Sequence, residues 1–309
     1  MNPALSEDLS KAKPFLKWAG GKSQLIPAIQ NALPPGFNQT EYTYIEPFAG
    51  SGAVLFWVLK TYPNVSRAVI NDINTDLFNA YQSIKISPGI LVAALAELQN
   101  EYNSISTEEA KREFYLERRK EFNKRGGENI QQTALLIFLN RTCFNGLYRV
   151  NSNNGFNVPF GRYNNPKICN EDTIYADSAV LQKVTLLNGD YSKTAAHATK
   201  NTLFYFDPPY KPISVTSSFN SYSKEVFDDA EQVRLRDFCI MLTQKGHQWL
   251  LSNSDPKNIN PDDNFFDELY RGDTIYIDRV MARRFINSKA GKRGEISELL
   301  ISNYKKYSG

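Results

Sequence analysis

Residues 42–52 read YTYIEPFAGSG. Aromatic and β-branched residues open the stretch, and those types fit a buried pleated strand. Pro47 then denies the ladder a donor, and Gly50 and Gly52 follow, separated by one residue. Apolar residues at helical spacing resume over 53–60. Strand, glycine loop and helix in this order form the opening unit of a dinucleotide-type fold. The loop departs from the full fingerprint, because Leu55 stands where GxGxxG requires a third glycine.

A second strand over 68–71 (AVIN) ends at Asp72, about 20 residues beyond the loop, where such folds place a carboxylate for the two ribose hydroxyls. Together, loop and carboxylate point to an adenosine-containing cofactor, NAD or S-adenosylmethionine. Further strands are predicted at 185–187, 202–206 and 248–252, separated by helical stretches. This alternation predicts an α/β fold with a mostly parallel sheet covered by helices on both faces.

The rhythm breaks between residues 81 and 171. A charged helix over 107–122 leads to a polar joint at Gly126 and Gly127. The segment NRTCFNGLYRVNSNNGFNVPFGRYNNP (140–166) is then dense in Asn, Gly, Pro and aromatics, which is turn and hairpin chemistry. Residues 81–171 therefore read as an inserted recognition domain of helices and a β-hairpin, and residues 1–80 with 172–309 as the catalytic domain. A second loop, FINSKAGKRG (285–294), lies between two predicted C-terminal strands. It reads equally as a solvated hairpin tip and as a basic loop for nucleic acid.

With 309 residues, 41% of them apolar, the chain has material for a large core. No signal pattern opens it, and its longest apolar run, at 134–139, is too short to span a bilayer, so a cytoplasmic protein without membrane contact is expected. Cys143, Cys169 and Cys239 form no CxxC pair and are expected to be reduced, and His197 and His247 are too few for a histidine metal site; no metal is expected. The net charge of +3 decides nothing, but its distribution is informative. Over 120–170, Lys120, Lys124, Arg125, Arg141, Arg149, Arg162 and Lys167 face only Glu121 and Glu128, interleaved with aromatics and asparagines. That mixture favours nucleic acid over a merely solvated face.

Near the start, PFLKWAGGKS (14–23) imitates a phosphate loop, but GxxxxGK[ST] needs glycine where Leu16 stands, and no apolar strand precedes it. An indole, two amines and exposed backbone suit an organic cofactor carrying a carboxylate instead. DPPY (207–210) ends the apolar strand at 202–206, at the edge where open α/β sheets bind ligands. Methylating an exocyclic base amine requires acceptors for its two hydrogens, because the nitrogen lone pair is delocalised into the ring. Asp207 can accept one and the Pro208 carbonyl the other. Pro208 and Pro209 fix the turn, and Tyr210 offers a face on which a flipped base can stack.

PFLKWAGGK, EPFAGSG, NDIN, NRTCFNGLYRVN, GFNVPFGRY and DPPY, in this order, resemble the DNA adenine-N6 methyltransferases of the Dam type over nearly the whole chain. The resemblance implies a class I methyltransferase sheet with a target-recognition insert between Asp72 and Asp207. It implies that Trp18, Lys22, Asp72 and Asp207 bind S-adenosylmethionine, with Phe48, Gly50 and Gly52 lining the pocket and Asp190 and Tyr191 around the cofactor adenine. Asp207, Pro208, Pro209 and Tyr210 would hold the target base in double-stranded DNA. Arg149 would read a guanine, Phe144 and Asn145 would enter the stack and contact the orphaned base, Leu147 and Pro159 would touch thymine methyls, and Lys17 would contact the first guanine. Phe144 stands where a tyrosine is common, so stacking is kept and a hydroxyl lost. Arg141 and Asn157 complete the DNA-facing set. Asn145–Gly146 also reads as a plain hairpin turn, and Leu147 as core.

The hairpin wording follows the GATC-reading group, while related enzymes read other sites containing GA. N4-cytosine methylation is the second reading, disfavoured because serine usually replaces the first residue of DPPY. An NAD-dependent oxidoreductase leaves DPPY and the basic hairpin unexplained. A DNA-binding protein without catalysis leaves Asp207, Trp18 and Lys22 without a use. A cognate restriction endonuclease encoded nearby, without stable contact, is a further expected partner.

Overall fold

A short helix, α1 (Ile26–Asn31), leads into strand β1 (Tyr42–Glu46), which is buried along its whole length. The coordinates are a computed structural model that describes residues 8–18, 22–210, 227–283 and 295–306. The glycine loop after β1 turns the chain into α2 (Ala53–Thr61), with Gly50 and Gly52 at φ 49° and 74°. A Cβ at Gly52 would stand 2.5 Å from the Tyr81 hydroxyl, so the turn has no room for a side chain there. β2 (Val65–Asp72) follows, and then α3 (Thr75–Ile86), whose N-cap Asn74 accepts the amides of Asp76 and Leu77.

Helices α4 (Pro88–Ser104), α5 (Glu108–Lys124) and α6 (Asn129–Thr142) come next, followed by a loop-rich segment and α7 (Glu171–Leu181). The chain returns to the sheet through β3 (Val184–Asn188), β4 (Thr202–Phe206), α8 (Asp229–Gln244) and β5 (Gln248–Ser254). It ends with α9 (Phe265–Leu269), β6 (Tyr276–Arg283) and β7 (Glu295–Ser302). The predicted basic loop at 285–294 lies outside the described residues.

Among the described residues the sheet order is β3-β2-β1-β4-β5-β7-β6. β3, β2, β1, β4 and β5 pair in parallel, and β7 runs antiparallel to both β5 and β6. The sheet is mixed α/β and Rossmann-like in its parallel part. The strand order reverses between β1 and β4, and the crevice at their carboxyl ends is where such sheets bind ligands. EPFAGSG leaves β1 there, and DPPY leaves β4 there.

Strand periodicity divides the core. Tyr44, Leu203, Tyr205, Leu250 and Leu300 face one layer, built with α2 to α7. Ile45, Phe204, Phe206, Leu251, Leu299 and Ile301 face the other, closed by α8 and α9. Each such buried side chain contributes about 1.5–3 kcal/mol. Helices α4 to α6 share the first layer: α6 is buried from Thr133 to Asn140, and its apolar residues join those of α2 and α3 in one continuous core.

The expected hairpin is irregular. Its arms meet in two isolated antiparallel bridges, Cys143 with Phe160 and Val150 with Phe156. α5 replaces much of the missing ladder: Tyr115 and Arg119 donate to the Val158 carbonyl at 2.7 and 3.1 Å, and Asn123 bonds both backbone groups of Phe156. Cys143 and Cys239 are buried and Cys169 is half-buried, all three as free thiols. Among the described residues, no helix is long and apolar enough to cross a membrane.

Candidate active site

At the end of β2 the half-buried Asp72 accepts the amides of Gly50 and Asn74, each at 2.9 Å, and so fastens the glycine loop to the start of α3. Burial raises its carboxyl above the ordinary aspartate range, with those two amides opposing the effect. Tyr81 donates to the Gly50 carbonyl at 3.0 Å. A Cβ at Gly50 would lie 3.4 Å from Trp18 Nε1, so the indole covers the loop closely. Trp18 stacks in turn on Tyr148, with ring centroids 5.1 Å apart. Trp18, Gly50 and Asp72 thus form one wall, although residues 18, 50 and 72 come from three separate segments.

A second wall is aromatic. Phe48 packs on Tyr191 at 5.1 Å, and the Arg234 guanidinium lies 4.3 Å over the Tyr191 ring. Burial opposes ionisation of Asp190, but hydrogen bonds from Arg234 and Ser192 prevail and lower its carboxyl to about 2. The Tyr191 hydroxyl and Asn71 Oδ1 are buried without hydrogen-bond partners among the described residues. Buried polar atoms of this kind need a partner.

The DPPY edge carries the charge. Lys22, only 6% exposed, sits 3.1 Å from Asp207 Oδ1 and 3.8 Å from Glu298 Oε2. It also donates to the Tyr210 hydroxyl, which donates to Glu298 Oε2 at 2.6 Å. Ser252 donates to Asp207 Oδ1 at 3.1 Å, and Oδ2 takes no hydrogen bond from a described residue. Burial raises the Asp207 carboxyl, Lys22 lowers it and Glu298 raises it again. Below lies Glu46, held well above the ordinary range by burial although Tyr44 donates to it at 3.0 Å.

Facing outward, Phe144 is 53% exposed, and the neighbouring Asn145 is exposed at φ 55°. Phe144 donates its amide to the Pro159 carbonyl at 2.8 Å, so exposed Pro159 and Phe144 stand side by side. The exposed Lys17 reaches over the Tyr163 ring at 5.0 Å. Arg149 Nε donates to Asn157 Oδ1 at 2.7 Å, which presets the guanidinium. Leu147 is half-buried against the core. Arg141 bonds the Phe15 carbonyl at 2.7 Å and ties α6 to the segment before Lys17.

Glu298, Ser252 and Asn140 are among the residues of this arrangement that the sequence did not single out. Glu298 and Ser252 are polar interruptions of apolar strands, in SELLIS and WLLSNS, and that interruption is a readable signal. Asn140 closes the apolar run of α6; its bonds to Lys17 and Gly146 span positions that no local pattern joins.

The Rossmann-like sheet thus carries DPPY beside a lysine at its crevice, with an exposed aromatic turn at Phe144 and Asn145. The chain belongs to the D12 class of N6 adenine-specific DNA methyltransferases, whose family pattern matches residues 18–283. It is 44% identical over 298 residues to the type II methyltransferase M.MjaIII of Methanocaldococcus jannaschii, covering 95% of this chain and 100% of that one. It is 38% identical over 307 residues to M1.LlaDCHI of Lactococcus lactis subsp. cremoris, covering 97% and 98%. With the DNA adenine methylase of Escherichia coli it shares 33% identity over 292 residues, 94% and 95% of the two chains.

Proposed function

We propose that this DNA adenine methyltransferase transfers the methyl group of S-adenosylmethionine to N6 of an adenine turned out of double-stranded DNA, and that its site is GATC. The observation that carries the reading is the placement of Asp207 Oδ1 against Lys22 at 3.1 Å at the carboxyl end of β4, across the crevice from the Gly50–Asp72 loop. The GATC assignment rests on the resemblance of the 140–166 segment to the GATC-reading group.

The residues around the crevice fit the cofactor. Asp72 suits ribose hydroxyls, the tight cover of Trp18 on Gly50 suits close backbone approach, and the unpartnered Asn71 Oδ1 beside Asp72 suits a polar ligand edge. When bound, S-adenosylmethionine supplies a sulfonium methyl, a carbon already activated toward a nucleophile. The protein's work lies in positioning and in handling hydrogens. Asp207 and the Pro208 carbonyl accept the two amine hydrogens, which draws the nitrogen lone pair out of conjugation with the ring. In the transfer N6 would gain the methyl carbon as that carbon's bond to sulfur breaks, the electron pair leaving with a neutral thioether, and the proton that N6 sheds would pass to Asp207. Lys22 and Ser252 hold Oδ1, so Oδ2 faces the amine.

On the DNA side, Phe144 fills the space left by the turned-out base, Asn145 contacts its former partner, Lys17 and Arg149 read guanines, and Leu147 and Pro159 touch thymine methyls. The type II names of two relatives support a protective role beside a restriction endonuclease encoded nearby. Incubation with S-adenosylmethionine and unmethylated genomic DNA, followed by single-molecule sequencing, tests the reading. N6-methyladenine confined to GATC is expected. Modification at another GA-containing site overturns the sequence assignment alone, and no modified base overturns the reaction.

A further inference from the structure

Glu298 lies on β7, outside every segment to which the resemblance assigns a role. It sits opposite Ser254 of β5 and Val280 of β6 in the antiparallel register. Side chains alternate along β7, so Glu298 shares its face with Leu300, which is buried in the first core layer opposite Ser252. A carboxylate at 15% exposure on such a face loses much of its hydration. It is retained at low cost only where fixed partners replace the water.

Its partners are two residues of the reaction edge. Oε2 accepts the Tyr210 hydroxyl at 2.6 Å and stands 3.8 Å from Lys22 Nζ. Lys22 in turn reaches Asp207 and the Tyr210 hydroxyl. Three side chains from three distant segments, Lys22, Tyr210 and Glu298, therefore close one ring, and Asp207 joins it through Lys22. We propose that Glu298 is a positioning residue for methyl transfer, holding the ring of Tyr210 by its hydroxyl and sharing Lys22 with Asp207. The proposal rests on the methyl-transfer reading above.

The consequence is twofold. Tyr210 has two anchors instead of one, so its aromatic face keeps a fixed direction while a base enters and leaves. Lys22 is divided between two carboxylates, so Asp207 keeps more of its basicity than an undivided ion pair would leave it. Among the described residues, Tyr44 and Glu46 from β1, Tyr205 from β4, Ser252 from β5, and Lys22, Tyr210 and Glu298 are the titratable and polar groups around Asp207. Of these, the Glu298 carboxylate raises Asp207, and Glu46 is coupled to Asp207 as well.

The test measures kcat against pH for methyl transfer from labelled S-adenosylmethionine to unmethylated genomic DNA. The proteins are the wild type, Glu298→Gln, Glu298→Ala, Tyr210→Phe and the double variant Glu298→Ala with Tyr210→Phe, each with its Tm. Glu298→Ala is expected to lower kcat about 10- to 100-fold, the order of loss that misplacement of a reacting group brings, with little change in Tm. Glu298→Gln keeps an acceptor for Tyr210 and most of the turnover, and moves the acid limb of the profile to lower pH because the charge opposing Asp207 ionisation is gone. In the Tyr210→Phe background, Glu298→Ala costs less than in the wild type, since the shared hydrogen bond is already absent.

Wild-type kcat and pH profile in both Glu298 variants overturn the proposal alone. So does a loss equal in both Tyr210 backgrounds and matched by a fall in Tm. A wild-type enzyme that modifies no adenine overturns the methyl-transfer reading, and this proposal with it.

Discussion

Asn140 holds the backbone of Lys17 from both sides: its side-chain oxygen accepts the Lys17 amide at 2.8 Å, and its nitrogen donates to the Lys17 carbonyl at 2.9 Å. The same nitrogen donates to the Gly146 carbonyl at 2.9 Å. A fully buried amide thus does the work of a strand neighbour, joining the segment that carries Lys17 and Trp18 to the Phe144–Gly146 turn. The contact is close: a Cβ at Gly146, where φ is 63°, would fall 2.3 Å from Lys17 Cδ and 2.8 Å from Lys17 Cβ.

Replacing Asn140 by Ala leaves three backbone groups without their partner. The expected cost is about 1–3 kcal/mol of stability, with a rise in KM for DNA that exceeds any change in kcat. Thermal melting and steady-state kinetics over a DNA series check this. Gly146→Ala should weaken DNA binding as well, because the left-handed backbone alone costs a side chain about 1–2 kcal/mol.

Asp207→Asn retains the shape of the edge and an acceptor for Ser252 but removes the charge beside Lys22. Turnover is expected to vanish while fluorescence anisotropy still reports DNA binding. In the wild type, burial sets the Asp207 carboxyl above its ordinary value, so the acid limb of kcat should lie above the usual aspartate range. A pH series at saturating substrates measures that limb; one that falls at or below the ordinary aspartate value contradicts the assignment.

Asn157 holds Arg149 through two contacts, Nε to Oδ1 at 2.7 Å and Nη2 to the carbonyl at 3.2 Å. Arg149→Ala should cost about 1–3 kcal/mol at one guanine and relax discrimination there. Asn157→Ala leaves the arginine present but unrestrained, and should cost about 0.5–1.5 kcal/mol for the side chain that binding must then order. Competition between duplexes differing at single base pairs separates the two. An equal loss on all sequences would mark Arg149 as a phosphate contact.

Asp177 of α7 is buried with Oδ2 unpartnered, and burial raises its carboxyl to about 8, against smaller opposing effects of the Lys13 amide, Lys60 and Lys13. A carboxyl raised on folding keeps its proton in the folded chain after the unfolded chain has lost it. Its contribution therefore falls as pH rises from about 4, the unfolded value, and levels off above the folded value. Asp177→Asn should flatten that slope and stabilise the protein above neutrality by about 1 kcal/mol, or about 2–4 °C in Tm. Melting across roughly pH 4 to 8, the window between the unfolded and folded values, is the measurement.

Local chemistry made much of the fold legible. The strand–glycine–helix unit at 42–60 and the strand at 202–206 form where their residue types predicted, since buried apolar runs and positive-φ glycines are properties of a few adjacent residues. The hairpin was legible only as turn chemistry. Its ladder is broken because α5 side chains claim the carbonyls that a second strand would have taken. Asp72 and Asp207 could be read from their positions at strand ends, but their partners could not.

Sequence alone determined the order of elements, the α/β class and the residue types of the reaction edge, because each is encoded within a span of one strand, turn or helix. Tertiary structure decided how those pieces share charge and backbone. The antiparallel insertion of β7 beside β5 carries Glu298 to Lys22 and Tyr210, across 276 and 88 positions of chain. The packing of α6 carries Asn140 to Lys17. Such contacts depend on the register of strands and the docking of helices, which are set by burial summed over the whole core and not by any one stretch of the chain.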